Sequence, residues 1–591
     1  MNKTLPLMAG LLLVGSASDV HAQAAAATSP VKPEQPVLTE RTVYSGAPMT
    51  PEQKAVVFEK ADLQFTVDPA KKHLDGNAAL TFRATAPVAR IVVDLDQNLP
   101  ISRVEVDGQV LAATAYSNPD GQVTVTLPKP LAVGERTTVR LVYAGKPHVA
   151  ARAPWDGGFV WATAPTGEPW IATAVQGEGC DLFWPCIDHP MGEPEIVDQH
   201  ITVPAPLVAA GNGVAMGMEE KNGWRTYHWR IKNPDTYSIA LNIGPYELLS
   251  ADYQSRFGNT IPLRFWYLRG NEAKAKVLFT EFPQLLDFFE STIGPYPFAD
   301  EKMGVVETPH KGMEHQTINA YGNEYVKTSY GYDELLQHEF SHEWFGNQLT
   351  NSDWDDMWLH EGFGSYMQPL YMEYLHGDLL YYTQLNSHRI KIRNKFPVVS
   401  GQTMREEDVY SGERGPGGDI YAKGSVILHT LRQLIGDEAF FTSVRRLVYG
   451  TATPKPGNFK PRYGSTKEFL AIINEVTGKD YTWFFDVYLY QAALPQLLVQ
   501  RDATGLNLSW KTQGNGPFPM PVDVRVDGRV QTLTMADGRG RVALSAHSVY
   551  TLDPHSKVLR QEDYIDVYQR FEAERMKAMA ERAAAEAAKK K

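Results

Sequence analysis

Two histidines and two glutamates near the middle of the sequence have the types and spacing of a hydrolytic metal site. His338, Glu339 and His342 form an H-E-x-x-H motif, and Glu361 follows with eighteen residues between it and His342. On an α-helix, residues four apart lie on one face about one turn apart. Both imidazoles can therefore reach the same ion while Glu339 lies beside it.

Glu361 is the candidate for the third metal ligand. A catalytic zinc ion usually takes three protein ligands and keeps one position for water, and two histidines with one carboxylate are a ligand set of zinc hydrolases. His360 and Glu343 adjoin ligands but point about 100° away from them on a helix. We expect these two side chains to pack or to support the ligands rather than to bind the metal.

The surrounding motifs resemble the aminopeptidase N family of gluzincins, which includes leukotriene-A hydrolase. The resemblance adds four segments to the metal motif: Trp344-Phe345-Gly346-Asn347, Gly312-Met313-Glu314, Tyr421-Ala422-Lys423-Gly424 and residues 184–190, which read Trp-Pro-Cys-Ile-Asp-His-Pro. It covers about residues 50 to 495. It implies one Zn²⁺ per chain and a thermolysin-like, mainly helical catalytic domain.

The resemblance also implies how such an enzyme recognises a free amino terminus. Gly312, Met313 and Glu314 match the exopeptidase signature, and Glu314 is the expected partner of the substrate ammonium group. Gln176 stands where family members place a Glu or Gln that helps to hold this amine, and Glu178 is a nearby second candidate.

The metal motif implies one catalytic role and the resemblance implies another. Glu339 is the expected general base, which takes a proton from the attacking water and passes it to the leaving amine. Tyr421 is expected to donate a hydrogen bond to the developing oxyanion, opposite the metal. The two catalytic candidates are therefore Glu339 and Tyr421.

The sequence departs from the family pattern at three positions. His315 stands where the exopeptidase signature normally ends in Asn, His360 replaces the usual Asn before the glutamate ligand, and Asp181 stands where an Arg is usual. His310 and His315 lie on a Gly-containing segment, where hydrogen bonding is expected rather than metal ligation. None of the departures removes a metal ligand.

The predicted function is zinc-dependent removal of the N-terminal residue from peptides. A zinc endopeptidase would share the ligands and Glu339 but would cleave N-terminally blocked peptides. A catalytically silent peptide-binding protein is a second alternative, against which the intact ligand set argues. Epoxide hydrolysis occurs in one branch of the resembled family, and no feature of this sequence demands it. The preferred residue and the oligomeric state stay open.

The elements that position these residues indicate a multidomain α+β fold. Alternating apolar residues and Asp-Gly turns predict an N-terminal β saddle or sandwich and a small C-terminal β domain, while long amphipathic runs between them predict helices. The predicted parts are a signal peptide (1–22), a flexible leader (23–45), the N-terminal β domain (46–250), the catalytic domain (251–494), the small β domain (495–560) and a polar, solvated C-terminal helix (561–591).

Composition narrows the partners and the compartment. A net charge of −12 argues against nucleic acid as a partner. Lys3, the short apolar run that follows it and the small-residue pattern ending at Ala22 predict a cleaved signal and hence a periplasmic or secreted protein. No segment predicts a membrane span. Cys180 and Cys186, the only cysteines, could pair in an oxidising compartment or stay as buried thiols.

Overall fold

The computed structural model describes residues 38–457 and 459–589. The predicted signal peptide and most of the predicted leader lie outside the described residues. The end of the leader, from residue 38 to 45, forms turns on the N-terminal domain, where Thr42 and Ser45 are buried. Arg41 there forms an ion pair with Asp94 at 2.9 Å.

The N-terminal domain is built on an eight-stranded sheet with the order β13-β14-β11-β1-β2-β8-β4-β5. A three-stranded sheet, β3-β7-β6, and a four-stranded sheet, β12-β15-β10-β9, complete it. Its elements are α1 (Pro51–Lys54), β1 (Val56–Asp68), β2 (His73–Ala84), β3 (Val88–Asp94), β4 (Ile101–Val106), β5 (Gln109–Val110), β6 (Tyr116–Ser117), β7 (Gln122–Leu131), β8 (Arg136–Gly145), β9 (Gly158–Thr163), β10 (Pro169–Ala174), β11 (Ile196–Pro204), β12 (Val208–Ala210), β13 (Val214–Lys221), β14 (Trp224–Lys232) and β15 (Asn242–Gly244).

The predicted strands and turn of this domain are confirmed. Residues 123–127 lie in β7 and residues 139–143 in β8. Asp107 and Gly108 connect β4 to β5 with φ values of 50° and 82°, the left-handed values that a two-residue hairpin turn requires. Cys180 and Cys186, whose pairing the sequence left open, form a disulfide bond.

The described residues of the catalytic domain form a four-stranded sheet, β16-β17-β18-β19, a two-stranded sheet, β20-β21, and ten α-helices. The predicted boundary at residue 250 falls inside β16, which pairs along its length with β17, so this sheet begins at Tyr246. The elements are β16 (Tyr246–Gln254), β17 (Thr260–Leu268), α2 (Glu272–Phe279), α3 (Phe282–Thr292), β18 (Met303–Glu307), β19 (Asn319–Tyr321), α4 (Glu334–Ser341), β20 (Leu349–Asn351), α5 (Trp358–His376), α6 (Asp378–Arg389), α7 (Glu406–Tyr410), α8 (Ala422–Ile435), α9 (Asp437–Tyr449), β21 (Arg462–Gly464), α10 (Thr466–Thr477) and α11 (Thr482–Tyr488).

The C-terminal part is a small β domain followed by a long helix. Two three-stranded sheets, β22-β23-β26 and β25-β24-β27, enclose a separate apolar cluster that includes Leu508 and Val524. The elements are β22 (Gln496–Arg501), β23 (Gly505–Lys511), β24 (Val522–Val526), β25 (Arg529–Leu533), β26 (Arg539–Ala543), β27 (Tyr550–Leu552) and α12 (Asp563–Lys589).

Helix α12 agrees with the predicted C-terminal helix in extent, but its start is packed rather than solvated. Ile565 is buried, and the Gln569 amide donates to the Ile390 carbonyl at 3.3 Å. Among the described helices, none combines the length and the apolar character needed to cross a bilayer.

Candidate active site

Helix α4 positions the first two candidate ligands and the candidate base. Asp333 caps its N-terminus by accepting a hydrogen bond from the Leu336 amide at 3.0 Å. His338 and Glu339 lie in its last turns, and His342 follows the helix with right-handed helical backbone angles. The predicted four-residue spacing therefore places both imidazoles on one side of the helix.

Glu361 in α5 joins these two histidines, as the sequence predicted. Its Oε2 lies 3.5 Å from Nε2 of His338 and 3.5 Å from Nε2 of His342. The two Nε2 atoms are 3.3 Å apart. Zinc–ligand distances of 2.0–2.2 Å give a tetrahedron with edges of about 3.3–3.6 Å. The three atoms thus have the mutual separations of three corners of a zinc site.

The other contacts of the ligands leave those three atoms free for a metal. Nδ1 of His342 lies 2.8 Å from the Phe345 carbonyl, which fixes its proton there and leaves the Nε2 lone pair available. Oε1 of Glu361 accepts hydrogen bonds from the hydroxyls of Tyr410 at 2.9 Å and Tyr421 at 2.8 Å. Oε2 of Glu361 is buried and has no hydrogen-bond partner among the described residues. The donor set fits Zn²⁺.

The electrostatics of Glu361 also suit a metal ligand. Burial alone would raise the pKa of its carboxyl, but the adjacent imidazoles of His338 and His342, together with the Tyr421 hydroxyl, lower that pKa to about 2. A carboxyl with so low a pKa is ionised at neutral pH. Metal binding requires the ionised form.

Two glycines allow α5 and α8 to approach each other at this point. A Cβ atom on Gly424 would lie 2.9 Å from the Cα atom of Gly362, closer than real Cβ contacts come. Because Gly362 follows Glu361 and Gly424 lies within one turn of Tyr421, this backbone contact brings the ligand and the tyrosine together. The glycines in both motifs therefore have a packing role.

Glu339 occupies a confined position beside the ligands. A Cβ atom on Gly312 would collide with the Glu339 carboxylate, so a larger residue there would displace that carboxylate from its position. Burial raises the pKa of Glu339 well above its usual value; the charge of His338 lowers it, and the carboxylates of Glu314 and Glu361 raise it. A divalent cation on the neighbouring ligands would favour the ionised form that a general base requires. Met313, the middle residue of the signature, is buried, and its backbone bridges to Ala320.

Gln176 and Glu314, predicted as the amine-binding pair, are in contact although 138 positions separate them. The Gln176 amide donates to Oε1 of Glu314 at 2.9 Å. The hydroxyl of Tyr237 donates to the same oxygen at 2.8 Å. Glu178, the second candidate, instead accepts a hydrogen bond from the Gly157 amide. The structure therefore brings Gln176 rather than Glu178 to Glu314.

Three further polar residues lie outside the ligand set. Nε2 of His360 lies 3.1 Å from the Asn351 amide, which donates to it, and Glu343 accepts from the Thr317 amide at 2.8 Å. His315 is fully buried, and neither ring nitrogen has a hydrogen-bond partner among the described residues. Burial lowers the pKa of His360 and of His315 to about 3. Both imidazoles are therefore neutral at physiological pH.

His310 forms a hydrogen bond, as the sequence analysis expected for this segment. Its Nδ1 lies 2.6 Å from the Lys311 carbonyl. Burial lowers the pKa of this imidazole to about 4, so that it too is neutral at physiological pH. The expectation of hydrogen bonding is confirmed for His310 but not for the side chain of His315.

Two tyrosines of the site were missed by the sequence analysis. Tyr410 shares Glu361 with Tyr421, and Tyr237 shares Glu314 with Gln176. Both are ordinary tyrosines in segments without a motif, among 28 in the chain. Only the folded contacts distinguish them.

The position of Tyr421 leads to a prediction that separates its two candidate roles. Tyr410→Phe and Tyr421→Phe each remove one of the two donors to Glu361 Oε1, so each variant is expected to bind zinc about tenfold more weakly, the lower end for residues that support a ligand. Only Tyr421→Phe is expected to lower kcat when zinc is saturating. Zinc affinity from chelator competition and kcat at saturating zinc are the measurements. Equal kcat values for both variants would exclude a separate oxyanion role for Tyr421.

Comparison with known proteins agrees with this geometry. Residues 281–488 match the peptidase family M1 domain. Aminopeptidase 2, mitochondrial, of Saccharomyces cerevisiae is 24% identical over 367 residues, covering 58% of this chain and 36% of the yeast protein. Tricorn protease-interacting factor F2 of Thermoplasma volcanium is 21% identical over 388 residues, covering 60% of this chain and 46% of that protein. The chain thus spans less than half the length of these two relatives.

Solved structures match a larger share of both chains. An M1 zinc metallopeptidase from Deinococcus radiodurans is 28% identical with a TM-score of 0.63, covering 74% of this chain and 94% of that one. A variant of the Deinococcus enzyme bound to a Tyr-Ser-Ala substrate is 27% identical with a TM-score of 0.64, covering 76% and 98%. Together with the matched domain and the relatives, these similarities support the assignment of the chain to the aminopeptidase N family of M1 zinc metallopeptidases.

Proposed function

We propose that this protein is a zinc aminopeptidase that releases the N-terminal residue of peptides. The observation that supports it best is the distance between the amine-binding pair and the metal ligands. Glu314, Glu339 and His342 each offer an oxygen or nitrogen atom within 4.8 Å of the others. In a peptide, the terminal nitrogen lies about 2.5 Å from the first carbonyl carbon. An ammonium group held by Glu314 therefore places the first peptide bond beside Glu339.

His338, His342 and Glu361 hold one zinc ion in this proposal. Bound zinc polarises the scissile carbonyl and lowers the pKa of the attacking water. Glu339 accepts a proton from that water and returns it to the leaving amine. Tyr421 exchanges its hydrogen bond to Glu361 for one to the developing oxyanion.

Glu314 and Gln176 determine which peptide bond is cut. Oε1 of Glu314 already accepts two protein hydrogen bonds, so the ammonium group binds to its other oxygen. Gln176 uses its amide nitrogen on Glu314, which leaves its amide oxygen as an uncharged acceptor for the same ammonium. Fixing the substrate in this way contributes to rate by orientation.

The alternatives make different predictions from the same site. A zinc endopeptidase has no use for a buried carboxylate beside the base, whereas Glu314 is 2% exposed and lies there. A catalytically silent binding protein would need neither the buried Glu339 nor the unpaired Oε2 atom of Glu361. Epoxide hydrolysis could use the same metal and base, and no contact of the described residues calls for it.

We further propose that the protein is exported. The signal-like start of the sequence supports this, and so does the Cys180–Cys186 disulfide, since such bonds persist in oxidising compartments. Localisation of a tagged chain in cell fractions, with and without residues 1–22, tests the proposal. An intact, uncleaved chain in the cytoplasm would oppose it.

Metal removal is the direct test of the proposed chemistry. A strong chelator is expected to abolish cleavage of amino-acid amides, and one equivalent of Zn²⁺ is expected to restore it. His338→Ala, His342→Ala and Glu361→Ala are each expected to lose zinc on dialysis, because two ligands remain instead of three. Elemental analysis and turnover of free and acetylated peptides are the measurements. Undiminished turnover of free peptides in the metal-free protein would refute a zinc aminopeptidase.

A further inference from the structure

A second pair of imidazoles lies outside the active-site motifs, on a solvent-accessible face of the eight-stranded sheet. His200 in β11 and His228 in β14 are directly opposite each other in antiparallel register. Each side chain is 28% exposed, so both rings are accessible to solvent. The ring centroids are 4.9 Å apart with an interplanar angle of 67°, and the two Nδ1 atoms are only 2.6 Å apart.

A carboxylate faces the other nitrogen of each ring. Nε2 of His200 lies 3.6 Å from Asp62, and Nε2 of His228 lies 3.8 Å from Glu219. A carboxylate beside an imidazole favours the proton on the nearer nitrogen, as it does for histidines that bind metals. In both neutral rings the lone pair then belongs to Nδ1. Two Nδ1 lone pairs at 2.6 Å repel each other unless a cation, either a shared proton or a metal ion, lies between them.

Two neighbouring cations on this face, Arg230 and Lys60, are already paired with Asp198. Asp198 forms two hydrogen bonds with the Arg230 guanidinium, at 2.6 and 2.9 Å, and an ion pair with Lys60 at 2.7 Å. Lys60 is more distant from Asp62, at 3.9 Å. Asp62 therefore has His200, at 3.6 Å, as a nearer partner than Lys60. Asp62 and Glu219 thus bring negative charge to the two imidazoles.

We propose that His200 and His228 bind a divalent transition-metal ion through their Nδ1 atoms, with Asp62 and Glu219 orienting the rings. Imidazole nitrogen is a ligand of Cu²⁺, Ni²⁺ and Zn²⁺, and Cu²⁺ binds most tightly in this series. Two ligand nitrogens on one ion stand about 3 Å apart or more, as the 2.0–2.1 Å metal–nitrogen distance requires. The exposed rings need only separate slightly, and water completes the coordination. The ion cross-links β11 to β14.

Electron paramagnetic resonance of added Cu²⁺ tests the site on the zinc-loaded holoenzyme, because Zn²⁺ gives no signal. We expect one tightly bound equivalent of Cu²⁺ with hyperfine coupling to two imidazole nitrogens, while the zinc content stays constant. His200→Ala and His228→Ala are expected to lose this species. Asp62→Asn keeps both rings and is expected to weaken Cu²⁺ binding about tenfold.

His73 in β2 provides a matched control. Its ring is 33% exposed and lies 3.5 Å from Asp75, so it repeats the imidazole–carboxylate contact without a second ring. His73→Ala is expected to leave the two-nitrogen signal unchanged. Unaltered peptidase activity and melting temperature before copper is added confirm that each variant is folded. If the wild-type spectrum shows one nitrogen, or if folded His200→Ala binds Cu²⁺ like wild type, the two rings share a proton and the metal site is refuted. If folded Asp62→Asn binds Cu²⁺ like wild type, the orienting role of Asp62 is refuted.

Discussion

Replacing Glu339 with glutamine is expected to lower kcat by about 10²- to 10⁴-fold, the contribution of a general base, while zinc stays bound. This range corresponds to about 3–5 kcal/mol of activation free energy. The amide keeps the shape of the carboxylate beside Gly312 but cannot accept a proton from the attacking water. Because Glu339 is not among the three converging ligand atoms, metal binding needs no carboxylate there.

The measurements for this variant are kcat on an amino-acid amide and zinc content after dialysis. Glu334→Gln is the matched control, since Glu334 lies in the first turn of the same helix and is only half-buried. The control is expected to keep wild-type activity. Near-normal turnover by zinc-loaded Glu339→Gln would remove Glu339 from the mechanism.

The metal-binding motif could be predicted from sequence because its geometry is local. A four-residue spacing on one helix fixes where His338 and His342 lie relative to each other, whatever the rest of the fold does. The position of Glu361 could not be predicted from local spacing, because its distance from the two histidines depends on how α5 packs. The sequence contained that information only as a family spacing, and the structure provides its physical cause in the Gly362–Gly424 contact.

Contacts between domains could not be derived from local patterns. Gln176 follows β10 in the N-terminal domain, whereas Glu314 lies between β18 and β19 in the catalytic domain. Only the family resemblance related the two residues, and no spacing rule indicates Tyr237 as their third member. Buried hydrogen bonds of this type depend on the docking of whole sheets.

The boundary between the N-terminal and catalytic domains could not be predicted accurately for a different reason. β17 begins with the same alternation of buried and exposed residues as the strands before it, so periodicity cannot tell which sheet it joins. The parallel pairing of β17 with β18 decides it, and β18 lies more than thirty residues further along the chain. In the same way, the sequence showed Tyr421 as a candidate but not the bond that its hydroxyl forms with Glu361.

Replacing Glu314 tests whether the protein recognises the free amino terminus of its peptide substrate. In Glu314→Gln the side chain keeps its size and can still accept from Gln176 and Tyr237, but it no longer attracts a cation. Removing one partner of a buried ion pair costs about 3–5 kcal/mol. We therefore expect kcat/KM for free peptides to fall on the order of 100- to 1,000-fold or more. Zinc content is expected to stay unchanged.

The decisive quantity is the preference for free over acetylated peptides, measured as a ratio of kcat/KM values. Glu314→Gln is expected to lose most of this preference, because an acetylated terminus offers no charge to Glu314 in either protein. Gln176→Ala removes only a neutral hydrogen bond worth about 0.5–1.5 kcal/mol, so its loss is expected to be about 2- to 12-fold. Glu178→Gln is the matched control, a nearby carboxyl bonded to Gly157 instead. If Glu178→Gln loses the preference for free peptides and Glu314→Gln keeps it, Glu178 is the residue that binds the amine. If both variants keep the preference, neither carboxyl binds the amine, and the role proposed for the exopeptidase signature is wrong.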